Sequence, residues 1–347
     1  MKDNVYLRDI LSQPAALRTM LARLDLEALR PYTQALKNGE FDRIILTGMG
    51  ASGYAAYPAW LYLLQAGIPA IWVDCAELIH YARPSMTRRS LIWIISQSGR
   101  SAEVLRLLDW LSHAPPAAAI AITNDPASPL AKAADLTLFI DAQVEETVST
   151  RTYMNSLAIT QLAALALCGA NLTPHLEALE RVIAGIGSYL ATWEVHLRLM
   201  ESLVGVPQHL AILGRGPSMA AALTGALIIG EAARYPALAL NAAQFRHGPL
   251  EMVNEMLTVL IFAGQEETAA MNMRLLQELI SYGASAFWLS PQAQQAELPA
   301  LSMPQASGIG LPLAEIAPLQ LLSVAMATQA GIVPGKFLHT GKVTLTE

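Results

Sequence analysis

Two stretches of this chain, 166 residues apart, read alike: RIILTGMGAS over Arg43–Ser52 and HLAILGRGPS over His209–Ser218. Each is an apolar strand running into G-x-G-x-S. Each is followed by a helix of small residues, Gly53 to Leu64 in the first copy and Met219 to Arg234 in the second. A strand, a glycine turn and a helix start that occur twice restrict the chain to two similar α/β units. The chain has 347 residues, enough for each unit to carry its own core.

Both copies continue in the same manner. IPAIWVD (Ile68 to Asp74), SLIWIIS (Ser90 to Ser96), AAIAIT (Ala118 to Thr123) and LTLFID (Leu136 to Asp141) read as short buried strands, several of them separated by patterned helices. In the second half LTVLIFA (Leu257 to Ala263) and ASAFWLS (Ala284 to Ser290) take the same part. Continuous apolar strands alternating with helices imply a mostly parallel sheet covered on both faces. Helical spacing covers Gln13 to Lys37 ahead of the first strand. Between the copies, Ser156 to Cys168 and Leu176 to Leu203 predict two helices joined by the turn Asn171 to Pro174. The domain boundary is placed there, giving domains 1–195 and 196–347.

Composition excludes several classes of function. The net charge is −6 and no Lys/Arg-rich run occurs, so neither nucleic acid nor an anionic membrane is expected as a partner. Hydrophobic residues make up 53% and charged residues 14%, which implies an unusually buried chain and an oligomer that covers part of its surface. Cys75 and Cys168 are the only cysteines, so no disulfide framework or cysteine metal knuckle is expected and the cytoplasm is the natural compartment. The first residues lack the apolar core of a signal peptide. The longest uncharged run, Ile316 to Val333, contains Pro318, Gln320 and Gln329 and fits a buried helix better than a membrane span.

In open α/β sheets ligands bind beyond the carboxyl ends of the strands, against helix N-termini. The first half offers two such places, Gly48 to Ser52 and SQSGRS (Ser96 to Ser101), the latter between an apolar strand and the helix AEVLRLLDWL. Serine hydroxyls, a glutamine amide and glycine-exposed N–H groups together supply the donors a phosphate needs. The same residues would also serve simply to cap and turn two helices. Neither glycine turn continues into a dinucleotide fingerprint, so no nicotinamide is expected. In the second half the matching loop is AGQEET (Ala263 to Thr268), whose Glu266 and Glu267 would repel an anion. One half is expected to bind phosphate and the other to have lost that ability.

Two residue types in the second half carry chemistry. Glu231 is the only acid in a helix that is apolar nearly all round, and burial would raise its pKa toward that of a general base. An ion pair with Arg234 at i+3 is the other reading of the same residue. His247 lies in QFRHGPLE, where Gly248 and Pro249 make a loop. On the residues alone a loop histidine is more often a solvated one.

Taken together, the motifs resemble the SIS (sugar isomerase) family, in particular the isomerase half of glucosamine-6-phosphate synthase. RDILSQPAALRTML, TGMGAS, SQSGRS, ETVSTRTY (Glu146 to Tyr153), LGRGPSMAAALTGALIIGEAA, AAQFRHGPLE and the terminal GKVTLTE carry the likeness nearly end to end. It implies two SIS domains in tandem, each a three-layer α-β-α sandwich with a mostly parallel, flavodoxin-like sheet. It further implies that Gly50, Ser52, Ser96, Gln97, Ser98 and Ser101 hold a sugar phosphate, with Ser149 and Thr150 near the sugar. Glu231 would move a proton between C1 and C2, His247 would help open the sugar ring, and Lys342 would approach the open-chain carbonyl. Lys342 stands five residues from the end, where a plain tail charge is the alternative. The histidine of such enzymes comes from the neighbouring subunit, so a homodimer or higher homo-oligomer with shared active sites is expected, with no metal or cofactor.

The chain departs from the synthase pattern at Arg100, Arg151 and Glu251, the last commoner among deaminases and deglycases of the family. With no N-terminal nucleophilic cysteine and no room for a glutaminase domain, it is not expected to draw ammonia from glutamine. The expected activity is therefore on an amino sugar phosphate or a ketosamine 6-phosphate, releasing ammonia or an amine through an enediol or enolamine. A plain aldose–ketose phosphate isomerase is the alternative enzyme. A non-catalytic phosphosugar-binding regulator is the alternative of another class, though about 42 residues before the first strand leave little room for a DNA-binding domain.

Overall fold

A computed structural model describes residues 3–293, 298–339, 341–344 and 346. The chain forms two compact units. The first comprises Ala15–Glu145, Arg151–Leu176 and His339–Glu347; the second comprises Met1–Pro14, Glu146–Thr150 and Glu177–Leu338. They are called here the N-terminal and C-terminal units.

The N-terminal unit is built on five strands, β1 (Arg43–Gly48), β2 (Ala70–Asp74), β3 (Ser90–Ile95), β4 (Ala118–Thr123) and β5 (Leu136–Phe139). All neighbours are parallel, in the order β2-β1-β3-β4-β5. The central strand β3 is buried along its whole length, which is why its sequence shows no polar alternation. Ile45, Ile92, Ile94 and Ala121 of the sheet pack with Leu78, Val104 and Leu107 of the covering helices. Each of the Ile, Leu and Val side chains among them contributes about 1.5–3 kcal/mol by leaving water.

The C-terminal unit repeats the plan with β6 (His209–Gly214), β7 (Ala237–Asn241), β8 (Leu257–Phe262), β9 (Ser285–Ser290) and β10 (Ala300–Ser302). Its parallel order is β7-β6-β8-β9-β10, the same winding as in the first sheet. The duplicated glycine turn is thus the local sign of a duplicated flavodoxin-like sheet, with the strand order reversing between β1 and β3 and again between β6 and β8.

The helix Ser218–Ala233 and the helix Leu311–Gln329 pack closely in this unit. A Cβ on Gly225 would collide with the Leu319 side chain, so the two backbones approach where a side chain is missing. The helix Leu311–Gln329 is long and apolar enough to cross a membrane, yet 94% of its most apolar window is buried inside the protein. Its polar groups are met from the two leading helices, Val5–Leu11 and Gln13–Arg23: Gln13 and Gln320 exchange amide hydrogen bonds at 2.8 Å, and the Tyr6 hydroxyl lies 2.9 Å from that of Ser323. A buried helix, rather than a span, is what Pro318, Gln320 and Gln329 imply.

Some elements differ from the sequence expectation. The strands β7 and β10 are additional; both are short strands at the edges of their sheet. The helical stretch before β1 breaks into Gln13–Arg23 and Arg30–Lys37, because the Asp25 carboxylate accepts from the N–H groups of Glu27 and Ala28 at 3.0 and 3.3 Å and starts a separate turn. The helix after the first glycine turn is interrupted before Tyr57–Gln65, where Pro58 has no N–H to continue it. The long helix between the copies is divided at Thr192 into Thr173–Ala191 and Trp193–Leu203.

Candidate active site

In the N-terminal unit the two expected anion loops leave neighbouring strands, β1 and β3, at the place where the sheet order reverses. At the first, a Cβ on Gly48 would lie 2.7 Å from the Ile95 carbonyl oxygen and 3.0 Å from the Gly53 nitrogen, so only glycine lets the turn close on β3. Gly50 takes φ 51° and opens the helix that contains Ser52. Ser52 is half-buried.

The second loop, Ser96 to Ser101, is anchored along its backbone to the end of β4. Ser96 N–H donates to Ile122 O at 3.0 Å, Asn124 N–H to Gln97 O at 3.0 Å, and the Thr123 hydroxyl to Gln97 O at 3.2 Å. Gly99 sits at φ 60°, and a Cβ there would strike the Ser128 side chain. Ser96 is buried, while Gln97, Ser98 and Ser101 are half-buried. Ser101 occupies the N-cap position of the helix Ala102–His113, yet its hydroxyl makes no capping bond. The reading of this serine as a mere cap is therefore not what the loop shows. Arg100, a departure from the synthase pattern, turns its guanidinium away to Asp125.

The C-terminal tail belongs to this same unit. Thr344 O accepts from the Ala102 N–H at 3.1 Å, which lays the tail across the start of that helix. Lys342 is 2.6 Å from the carboxylate of Glu145, a residue whose side chain is fully buried. The Thr152 hydroxyl donates to the same Glu145 oxygen at 2.5 Å. Lys342 is thus tied down, not a loose terminal charge. Sequence reasoning missed Glu145, because nothing in DAQVEETV distinguishes it from its exposed neighbour Glu146.

The segment before the Ser-Thr loop is held in an unusual conformation. Asp141 and Gln143 both have positive φ, 47° and 55°. Asn124 and Arg151 hold the turn: Asn124 donates to Gln143 O at 2.9 Å and Arg151 to Val144 O at 2.7 Å. Ser149 and Thr150 fall in the five-residue segment assigned to the C-terminal unit, Ser149 half-buried and Thr150 fully buried.

Glu231 and His247 also lie in the C-terminal unit. The helix Ser218–Ala233 is not buried all round. Leu223, Ala226, Leu227, Gly230 and Glu231 form a less buried stripe at three- and four-residue spacing, and Glu231 is half-buried. The helix ends in a left-handed residue, Arg234 at φ 54°, whose guanidinium donates to Lys336 O at 3.2 Å. His247 is exposed, between the short turns Gln244–Arg246 and Pro249–Met252. It opens onto a cavity of about 420 Å³ that Arg215, Arg246 and Arg274 also line. Arg246 pairs with Glu278 at 2.6 Å, and Arg215 donates to Asn272 at 3.0 Å. Partial burial, and then the neighbouring Arg246, lower the pKa of Arg215.

The second acid that sequence reading missed is Glu315. It stands one residue before the uncharged run of its helix, is fully buried, and accepts from the Ser218 hydroxyl at 2.7 Å. Desolvation pushes its pKa up to about 8, only partly opposed by that hydrogen bond. Among the described residues no three His, Cys, Asp or Glu side chains gather into a metal-binding cluster.

Comparison with known proteins agrees with this architecture. The SIS domain family model matches residues 40–166 and 206–329. The glutamine–fructose-6-phosphate aminotransferase (isomerizing) of Clostridium tetani is 28% identical over 95% of the chain and 57% of that protein. That of Pyrococcus horikoshii is 27% identical over 99% of the chain and 58% of its own length, so the chain spans a little under three-fifths of these curated relatives. Among solved structures, the C-terminal domain of glucosamine-fructose-6-phosphate aminotransferase from Francisella tularensis superposes with a TM-score of 0.84 at 23% identity, covering 95% of this chain and 97% of that one. Glucosamine-6-phosphate deaminase from Thermotoga maritima gives a TM-score of 0.78 at 22% identity over 98% and 99% of the two chains. With both glycine turns and both five-stranded parallel sheets inside the matched segments, the chain belongs to the SIS domain family, as a tandem of two such domains.

Proposed function

We propose that this protein is a phosphosugar enzyme that shifts a proton between the first two carbons of an amino sugar phosphate or a ketosamine 6-phosphate and releases ammonia or an amine. The observation that carries the reading is the Ser96–Ser101 loop: its backbone is pinned to β4, and the Ser101 hydroxyl stands at a helix start without capping it. A loop so held presents serine hydroxyls and N–H groups to an anion at the switch point of the sheet. Gly50, Ser52, Ser96, Gln97, Ser98 and Ser101 hold the phosphate, and Ser149 and Thr150 contact the sugar.

In this account His247 assists ring opening and Glu231 is the base. With a 2-amino aldose phosphate, Glu231 takes the C2 proton to form an enolamine and returns a proton to C1. The resulting C2 imine adds water and leaves as a ketose phosphate and ammonia. With a 1-amino ketose phosphate the same shuttle runs from C1 to C2, and the C1 imine adds water to give an aldose phosphate and the amine. Lys342, fixed by Glu145, places a cation near the developing oxyanion. The exposed position of His247 suits a residue donated to a neighbouring subunit in a homodimer or larger assembly.

The test is incubation of the protein with glucosamine 6-phosphate, fructosamine 6-phosphates and hexose 6-phosphates, with assays for ammonia, free amine and hexose phosphate. Release of ammonia or amine with equimolar hexose phosphate is expected. Interconversion of hexose phosphates alone would identify a plain aldose–ketose isomerase, and saturable binding without turnover would identify a phosphosugar-binding regulator.

A further inference from the structure

The C-terminal unit has its own switch point, between β6 and β8, and a cavity of about 630 Å³ opens beside it. The loops that follow these two strands meet there: a Cβ on Gly216 would lie 3.7 Å from the Gln265 amide oxygen, and one on Gly264 would lie 3.6 Å from the Ser218 hydroxyl. The cavity lies at the carboxyl ends of β8, β9 and β10, and its loop Ala263–Thr268 holds the place that Ser96–Ser101 holds in the N-terminal unit. The lining chemistry is different. Among the described residues that line the cavity there is no Lys, Arg or His. The walls offer the amides of Gln265 and Gln305 and the hydroxyls of Ser290 and Ser307, with the Glu266 and Glu315 carboxyls.

Glu315 gives the cavity its direction. It is fully buried, one of its oxygens accepts from Ser218, and its other oxygen has no hydrogen-bond partner. A buried polar atom without a partner is rare and calls for a ligand or another explanation. An anion is excluded by charge, because Glu266 and Glu267 already occupy the first turn of the helix Glu266–Ser281, whose N-terminus would otherwise attract one. The guanidinium of Arg215, on the loop after β6, is turned to Asn272 and lines the His247 cavity instead. Amides and hydroxyls that alternate as donors and acceptors suit a polyol, and carboxyls suit an ammonium group.

We propose that this cavity is a second ligand site, specific for an unphosphorylated amino sugar whose ammonium group docks at Glu315 and whose hydroxyls meet Gln265, Gln305, Ser290 and Ser307. The two units thus keep ligand sites at equivalent places with opposite charge preference: an anion in the first, a cation in the second. Docking an ammonium would return Glu315 to its ionised form and give its free oxygen a donor. The site does not depend on the reaction assigned above, and its failure would leave that assignment standing.

The experiment is calorimetric titration of the whole protein with glucosamine, and with glucose and glucose 6-phosphate as comparators, in the presence and absence of saturating inorganic phosphate. Glucosamine is expected to bind saturably and independently of phosphate, with glucose at least tenfold weaker. Gln305→Trp, at an exposed position on the cavity wall, and Glu315→Gln are each expected to weaken glucosamine at least tenfold. Absence of saturable glucosamine binding would overturn the proposal. So would competition by phosphate, equal affinity for glucose, or unchanged affinity in Gln305→Trp, a variant whose surface position leaves the core intact.

Discussion

The ammonium of Lys342 and the carboxylate of Glu145 lie 2.6 Å apart, joining Lys342 to a side chain with no solvent exposure. Removing one partner of a buried ion pair leaves an uncompensated charge, at a cost of about 3–5 kcal/mol. Because Lys342 retains partial exposure, the lower part of that range applies. Lys342→Met is expected to lower unfolding free energy in urea by about 3 kcal/mol, and Glu145→Gln in the same chain to restore much of it. Stability of Lys342→Met equal to that of the parent would show that the pair holds nothing.

Glu315 makes stability depend on pH in a definite direction. Its folded pKa of about 8 lies above the unfolded value near 4.5, so between these values the folded state holds a proton that the unfolded state releases. The stabilisation is complete below about pH 4.5 and is lost as pH rises through 8. Glu315→Gln keeps the neutral form, and is expected to be more stable than the parent at pH 8.5 by an amount on the order of 3 kcal/mol, with the gap closing toward pH 5. Melting curves at the two pH values measure this. A gap that grows toward acid pH would have the wrong sign.

Gly48 in the first turn serves folding and binding together. Gly48→Ala would press a Cβ against the backbone of Ile95 and Gly53, neither of which can rotate away. We expect a loss of about 2 kcal/mol in stability, together with a weakened affinity for glucose 6-phosphate, since the strained turn carries Ser52. Denaturation and calorimetry on the one variant check both.

Ser101 behaves differently. A serine that caps a helix costs about 1 kcal/mol when changed to alanine. This one makes no capping bond, so Ser101→Ala is expected to leave stability within about 0.5 kcal/mol of the parent. Its affinity for glucose 6-phosphate is expected to fall about tenfold, as for loss of a hydrogen bond to a charged group. A stability loss near 1 kcal/mol with unchanged affinity would make it a cap after all.

What the sequence revealed, and what it hid, follow from the range of the interactions. RIILTGMGAS and HLAILGRGPS were legible because a strand, a turn and a helix start are set by residues within ten positions of one another. The core strands Ser90–Ile95 and Leu257–Phe262 were legible from their unbroken apolar runs. The edge strands β7 and β10 were not, since ALALN and ALS become strands only by pairing with β6 and β9. Glu145 and Glu315 were hidden for a related reason: an acid looks the same in sequence whether it meets water or is enclosed by residues far along the chain. Reading AGQEET as a loop that had merely lost its anion missed the cavity beside it, because Glu315 reaches that place from a distant helix.

In the proposed reaction Glu231 is the group that carries the proton. The direct measurement is NMR of a turned-over phosphosugar in deuterated water, following exchange of its C1 or C2 hydrogen with solvent, for the parent and for Glu231→Gln. The parent is expected to exchange that hydrogen, and Glu231→Gln to bind the phosphosugar with similar affinity while exchanging it at least a hundredfold more slowly, as for loss of a general base. Exchange at the parental rate in Glu231→Gln would contradict the account.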